Sequence, residues 1–274
     1  MPVILTLSCN LDEKDLLAAE LDDSAMLGLI EEDQPGGRSL LRAFFEDSAQ
    51  ATSVAERLSN YSPAIGPYEA RDWLAMALSQ WKPVLAGERF FLAPPWCDDP
   101  TPAGRLRMIM PPGTASGTGL HASTQLMLTA LERELRPSDT LLDLGTGSGI
   151  LSAAALLLGA RTVCACDIEE EAVLAAREYT GRRVPLFLGS ARSLREASVD
   201  VVAANINAAT LIILAYEIAR VLKPGGRALL GGFTAVDLPR LSGALDAASL
   251  AVKGRLEQDE WVLLTASATH YTQD

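Results

Sequence analysis

Three closely spaced glycines behind an acid mark the part of this chain that could bind a ligand. Gly145, Gly147 and Gly149 follow an apolar run ending in Asp143 and Leu144, and an alanine- and leucine-rich segment comes directly after them. Glycine permits unusual backbone angles and lets a ligand approach the main chain without meeting a Cβ. A helix that begins there adds amide donors and a partial positive charge. The sequence therefore predicts a ligand-binding turn that includes Asp143 and the three glycines.

A second acid indicates which ligand the turn would bind. Asp167 ends the next apolar run, about 20 residues after the turn, where a carboxylate can accept hydrogen bonds from both ribose hydroxyls. The glycines fall as G-x-G-x-G, whereas the fingerprint of dinucleotide-binding dehydrogenases is G-x-G-x-x-G. This spacing favours S-adenosylmethionine, which brings an amino acid moiety and no pyrophosphate. A nicotinamide-dependent dehydrogenase is the competing interpretation.

Two further polar residues follow later apolar runs. Ser190, in Gly189-Ser190-Ala191, is expected near the adenine, although a Gly-Ser pair is equally a simple loop. Asn205 ends the fourth run, and ligands in open α/β sheets bind outside the carboxyl ends of the strands. Asn205 would then lie where the methyl group meets its acceptor. Its alternative role is that of a helix N-cap.

The elements that must position these residues alternate along the second half of the chain. Apolar segments separated by helix-like segments predict a parallel, doubly wound α/β sheet. The predicted strands cover residues 140–144, 162–167, 184–188, 199–204 and 227–232. A helix over 236–248 and a terminal antiparallel hairpin, 250–256 with 261–267, complete a seven-stranded Rossmann-like methyltransferase sheet.

The first sixty residues predict a small α+β module of the ferredoxin-like type. Its expected elements are strand 3–8, helix 11–26, strands 27–32 and 39–45, and helix 49–58. The turn-rich residues 61–67 predict a connector, and residues 68–81 an amphipathic helix. We therefore expect a substrate-recognition module over 1–60, a linker region over 61–85 and a catalytic domain over 86–274.

Composition narrows the class of partner. The net charge of -12 and a pI near 4.7 argue against a nucleic-acid-binding surface and fit attraction of a basic protein. Four cysteines without metal-ligand spacing and only two histidines predict no metal site. The chain shows no basic leader and no apolar run of about 18 residues. We expect a monomeric cytoplasmic protein with reduced thiols and no membrane span.

The segment upstream of the glycine turn resembles one family. Residues 112–124 read PGTASGTGLHAST and are similar to the P-G-x-A-F-G-T-G-x-H-x-T-T segment of the PrmA-type ribosomal protein methyltransferases. Further similarity, in order and spacing, covers residues 72–74, 82–83, 92–94, 143–149, 202–206, 222–226 and 260–264. The resemblance is close from about residue 65 to the end and holds only in pattern before it.

The resemblance implies S-adenosylmethionine as the methyl donor and ribosomal protein L11 as the substrate, trimethylated on lysine side chains and the N-terminal amine. It also implies that the N-terminal module grips the substrate. Methylation of another protein lysine or a small molecule, and donor binding without catalysis, are the alternatives.

Matched residue by residue, the resemblance assigns site roles. Contacts with the donor are implied for Thr124, Gly145, Asp167 and Asn205. Thr118 and His121 would line a loop that covers the donor, with Thr118 close enough to bind it. His121 is in addition a candidate proton acceptor beside Asn205. Ser116 departs from the family's usual phenylalanine, which should loosen the donor site.

Overall fold

The computed structural model describes residues 3–22, 26, 28–67, 82–110 and 119–269. The chain divides into two compact units, Met1–Trp81 and Lys82–Asp274. The helix predicted over 68–81 lies outside the described residues, as do Ser116 and Thr118. Within the described ranges, no helix is long and apolar enough to cross a membrane, and no group of His, Cys, Asp and Glu could hold a metal ion.

The first unit has the predicted alternation of strands and helices, completed by a fourth strand. Its elements are β1 (Val3–Asn10), α1 (Lys14–Asp22), β2 (Gly28–Gln34), β3 (Arg38–Phe45), α2 (Ser48–Arg57) and β4 (Ala64–Pro67). The sheet order is β2-β3-β1-β4 with antiparallel neighbours throughout. The core forms on one face, where alternate residues of β1 such as Leu5 and Leu7 are buried with Leu17 and Leu21 of α1.

Residues 61–67 differ from the prediction of a connector. Residues 64–67 form β4 and pair with β1, from Val3 opposite Pro67 to Thr6 opposite Ala64. Pro67 hid this strand in the sequence pattern, because proline cannot donate to a β ladder. It is tolerated here because β4 is an edge strand. The predicted helix over 11–26 is also shorter, with a 3-10 turn at Leu11–Glu13 before α1.

The second unit begins with a small sheet and continues into a large one. The small sheet holds β5 (Val84–Ala86), β6 (Phe90–Ala93) and β7 (Leu106–Ile109). Then follow α3 (Ala122–Glu134), β8 (Thr140–Leu144), α4 (Ile150–Leu157), β9 (Thr162–Asp167), α5 (Glu170–Thr180), β10 (Leu186–Leu188), β11 (Val199–Asn205), α6 (Ala208–Val221), β12 (Leu222–Thr234), α7 (Leu238–Ala247), β13 (Leu250–Gln258) and β14 (Trp261–Ala268).

The large sheet confirms the predicted α/β fold. Its order is β10-β9-β8-β11-β12-β14-β13. The first five strands in this order, from β10 to β12, are parallel to one another. β14 is antiparallel to β12 and forms the C-terminal hairpin with β13. Central strands are buried on both faces, so they read as continuous apolar runs. The strand order reverses between β8 and β11, and ligands bind at such a switch point, outside the carboxyl ends of the strands.

Candidate active site

The glycine turn connects β8 to α4 and takes left-handed backbone angles. The φ values are +74° at Gly145, +52° at Gly147 and +84° at Gly149. A Cβ on Gly145 would come within 2.4 Å of Ile206 Cγ2, and one on Gly149 within 3.0 Å of the Ala176 Cα. At these two positions glycine is therefore required by the packing of the protein against itself, in addition to any approach of a ligand.

The backbone amides of the turn are largely used inside the protein. Gly145 N and Thr146 N donate to the Cys166 carbonyl at 2.9 and 3.0 Å, and Gly149 N donates to the Thr146 carbonyl at 2.9 Å. Gly147 N donates to Asp167 Oδ2 at 3.0 Å. A pyrophosphate needs such amides free. Their engagement argues against the dinucleotide interpretation.

Asp143 lies beneath the turn and joins it to the first turn of α4 by hydrogen bonds. Its carboxylate is fully buried, and Oδ2 accepts bonds from Thr146 Oγ1 at 2.8 Å and from Ser152 N and Oγ at 3.0 and 2.6 Å. Burial raises the pKa of Asp143 and outweighs these hydrogen bonds. Oδ1 has no hydrogen-bond partner in the described part of the chain. The visible contacts of Asp143 thus fix the start of α4.

Asp167 stands at the end of β9 with its carboxylate toward the turn. Oδ2 accepts from Gly147 N, and Oδ1 accepts from Glu169 N at 3.2 Å. A carboxylate offers about four lone-pair sites, so one bond to each oxygen leaves both able to accept a hydroxyl. The side chain therefore suits a vicinal pair of ribose hydroxyls, as the sequence predicts.

A cavity of about 660 Å³ opens at the carboxyl ends of β8, β9 and β11. That volume suits a ligand of drug-like size. Its wall combines apolar side chains with carboxylates, including Leu144, Ile168, Ile206, Asp167, Glu169 and Glu171. None of the described residues in the wall is lysine or arginine. Such a wall suits a positively charged nucleoside and is unfavourable for a pyrophosphate.

The structure brings five of the predicted site residues together in this wall: Gly145, Gly147, Asp167, Ser190 and Asn205. Ser190 also begins the 3-10 turn Ala191–Ser193, where its Oγ accepts from Arg192 N at 3.4 Å. Asn205 is not the N-cap of α6. That position belongs to Asn207, whose Oδ1 accepts from Thr210 N at 2.9 Å.

Other predicted site residues lie outside the described wall of the cavity. Asp143 lies beneath the turn, and Gly149 is the last glycine of the turn, where it packs against Ala176. Thr124 is buried in the first turn of α3, and its Oγ1 accepts from Asn205 Nδ2 at 3.5 Å. It is therefore linked to the cavity through Asn205.

His121 serves as the N-cap of α3. Its Nδ1 accepts from Ser123 N at 3.4 Å, and its ring meets the edge of Trp261 with the centroids 4.6 Å apart. The side chain is exposed and does not belong to the cavity wall. These contacts anchor the start of α3 against the C-terminal hairpin. A role as proton acceptor stays a prediction.

None of the four cysteines, all of which lie in the described part of the chain, forms a disulfide. Burial raises the pKa of Cys166 to about 12, with a further contribution from the nearby Asp143 charge. Burial also raises the pKa of Cys164. Because the thiolate is the nucleophilic form, burial disfavours nucleophilic chemistry at both of these thiols.

Sequence reasoning missed part of the wall. Glu169 and Glu171 lie around the start of α5, where acids are ordinarily explained as complements of the helix dipole. Ile168 follows Asp167 with 75% of its surface exposed, which marks an apolar face open to the cavity. Asn207 and Thr210 enter from the start of α6. The signal available in the sequence was their position just after strand ends.

Comparison with known proteins places the chain in a family. The family described as Ribosomal protein L11 methyltransferase (PrmA) matches residues 11–269. A ribosomal protein L11 methyltransferase of Symbiobacterium thermophilum is 37% identical over 201 residues, which cover 72% of this chain and 66% of that protein. One of Gloeobacter violaceus is 38% identical over 218 residues, covering 77% and 68%.

A solved structure agrees with this match. The ribosomal protein L11 methylase of Lactobacillus delbrueckii subsp. bulgaricus superposes with a TM-score of 0.65 at 29% identity, over 69% of this chain and 100% of that chain. The matched residues span about two thirds of the two sequence relatives. The dehydrogenase interpretation is therefore set aside, and the chain belongs to the PrmA family of methyltransferases.

Proposed function

We propose that this protein is an S-adenosylmethionine-dependent N-methyltransferase that modifies ribosomal protein L11 on lysine side chains and the N-terminal amine. The observation that carries the proposal is the cavity at the switch point of the sheet, whose described wall holds carboxylates and no cation. A ligand with a positive charge and ribose hydroxyls fits this wall. The names of the relatives support the choice of substrate.

The residues present fit the donor. Asp167 would hold the ribose hydroxyls, and the exposed face of Ile168 would pack against the adenine. Ser190 belongs to the same wall. Glu169 and Glu171 favour a cationic ligand through their charge. When bound, S-adenosylmethionine supplies a methyl group activated by its sulfonium.

The protein's own contribution is positioning and desolvation. Methyl transfer is an in-line displacement, so holding the acceptor in line supplies much of the rate enhancement. The acceptor amine must be neutral, and a free lysine with a pKa of about 10.4 costs roughly 4–5 kcal/mol to deprotonate at pH 7. Apolar wall residues such as Leu144, Ile206 and Leu214 would lower that cost by desolvating the ammonium.

The N-terminal unit is the proposed site of substrate recognition. Between residues 1 and 67 the sequence has twelve acidic and four basic side chains. This excess of negative charge complements a basic ribosomal protein and steers its approach. It also disfavours direct contact with nucleic acid. In this proposal a cytoplasmic monomer carries a recognition unit, a linker region and a catalytic domain.

A labelling experiment tests the proposal. The purified protein is incubated with methyl-labelled S-adenosylmethionine and purified L11, and the products are mapped by mass spectrometry. The expected result is methyl groups on lysine and N-terminal amines of L11. L11 whose amines have been acetylated beforehand is the matched control and should take up no label. Label confined to a small-molecule pool, or absent from both samples, contradicts the proposal.

A further inference from the structure

Asn205 is held through a short chain of polar groups that starts at the surface. His121 Nδ1 lies 2.8 Å from Ser123 Oγ, and Asn205 Nδ2 lies 3.4 Å from the same Oγ. Ser123 is buried, with 6% of its surface exposed. Asn205 Oδ1 is also buried and has no hydrogen-bond partner among the described residues. Ser123 thus connects the N-cap of α3 to the end of β11.

The direction of this chain follows from proton counting. In the tautomer of His121 that is protonated at Nε2, Nδ1 accepts the Ser123 amide hydrogen as the N-cap of α3 and has no proton of its own to donate. The Ser123 hydroxyl, which has one hydrogen, therefore donates it to Nδ1. Its oxygen can then only accept from Asn205. The Asn205 amide must present Nδ2 to Ser123 and turn Oδ1 the other way.

The surroundings of Asn205 accommodate that orientation. Gly231 pairs with Asn205 across β11 and β12, and a Cβ at Gly231 would lie 3.3 Å from Oδ1. Glycine therefore leaves room for the oxygen. A buried acceptor without a partner is unfavourable, so a ligand that donates an N–H or O–H to Oδ1 gains that interaction on binding.

We infer that Ser123 is a positioning residue that, with His121, fixes the Asn205 amide so that Oδ1 is available to the methyl donor. The inference rests on the proposed function, because it names a residue that supports the donor site. A hydroxyl is what the position requires, so threonine should replace serine without loss. Ser123→Ala should leave the Asn205 amide free to rotate by half a turn, because Thr124 can then donate its hydroxyl to Oδ1 of the rotated amide.

A double-mutant cycle tests the inference by calorimetry with S-adenosylhomocysteine. Ser123→Ala should weaken binding about five- to tenfold in the native protein, as expected for one lost hydrogen bond. In an Asn205→Ala background the same substitution should change the affinity less than about twofold, because Ser123 acts through Asn205. Ser123→Thr should stay within about twofold of the native affinity.

A second variant keeps the test independent of the folding of Ser123→Ala. His121→Phe retains a ring against Trp261 but frees the Ser123 hydroxyl to donate to Asn205, so it should weaken binding in the same Asn205-dependent way. Equal losses in both backgrounds, or no loss with either variant, would overturn the inference alone. If the native protein failed to bind S-adenosylhomocysteine, the proposed function would fail and the inference with it.

Discussion

The carboxylates at the two ends of the large sheet have different kinds of partner. At the amino end, Asp139 pairs with Arg227 at 2.6 Å and Asp200 with Lys223 at 2.8 Å. At the carboxyl end, Asp167 accepts only backbone amides in the described part of the chain.

This difference separates stability from function within one sheet. Each carboxylate at the amino end is paired with a cation and also accepts a backbone hydrogen bond. Arg136 N donates to Asp139, and Thr140 N donates to Asp200. The carboxylates of the cavity wall meet no lysine or arginine among its described residues. The ion pairs at the amino end stabilise the packing of strands and helices, whereas a carboxylate without a cationic partner has lone pairs available for a ligand.

Removing the cation of the buried pair should give the largest effect. The Arg227 and Asp139 side chains are only 11% and 7% exposed, so Arg227→Met leaves a buried charge unpaired. We expect the free energy of unfolding to fall by about 3–5 kcal/mol, measured by urea denaturation. The double variant Arg227→Met with Asp139→Asn should recover part of the loss. A weaker affinity of the folded variant for S-adenosylhomocysteine would contradict the division between the two ends.

Neutralising Asp167 should lower the affinity for the donor much more than the stability of the fold, which is the opposite of the result expected for Arg227. Asp167→Asn removes a charged acceptor from the proposed ribose site and should weaken S-adenosylhomocysteine binding about 10- to 100-fold. The free energy of unfolding should fall by only about 0.5–1.5 kcal/mol, because the asparagine oxygen can still accept one of the two backbone hydrogen bonds that Asp167 accepts. Calorimetry and denaturation measure the two quantities. Asp200→Asn, at the amino end, is the matched control and should leave the affinity unchanged.

The half-exposed ion pair should give the smallest effect, and that effect should depend on pH. Burial alone would raise the pKa of Asp200, but hydrogen bonds from Lys223 and the Thr140 amide outweigh it and lower the pKa. The pair therefore stabilises the fold above the unfolded-state value of about 3.9, and this contribution is lost as pH falls through the lower folded-state pKa.

Lys223→Met measures that contribution. At pH 7 it should lower the free energy of unfolding by less than about 1 kcal/mol, because both side chains are accessible to solvent that screens them. The difference between native and variant proteins should shrink toward zero in acid. A difference that grew as pH fell would show that Lys223 acts in some other way.

The sheet was predictable where burial is complete. Residues 140–144 and 162–167 coincide with β8 and β9, because strands covered on both faces read as unbroken apolar runs. Short or edge strands gave no such signal. The sequence pattern predicts a connector where β4 lies and predicts neither β5 nor β7. β4 pairs with β1 at the start of its unit, and β5 and β7 are only three and four residues long.

The site was predictable to the extent that topology fixes it. Asp167 and Asn205 follow from their positions at strand ends. Ser123 could not be found in this way, because its contact with Asn205 spans 82 residues of sequence. For Asp143 the sequence predicts cofactor contact, whereas the contacts seen in the structure brace the turn. The roles of Ser123 and Asp143 depend on which group donates each hydrogen bond and on how deeply the side chain is buried, and both are set only when the chain is folded.

Two calorimetric titrations distinguish a methyl-donor site from a dinucleotide site: the native protein with S-adenosylmethionine and, separately, with NAD⁺. The acidic wall and the engaged amides of the turn predict saturable one-to-one binding of S-adenosylmethionine that Asp167→Asn weakens, and no measurable binding of NAD⁺. Binding of NAD⁺ with an affinity equal to or above that of S-adenosylmethionine would contradict the account.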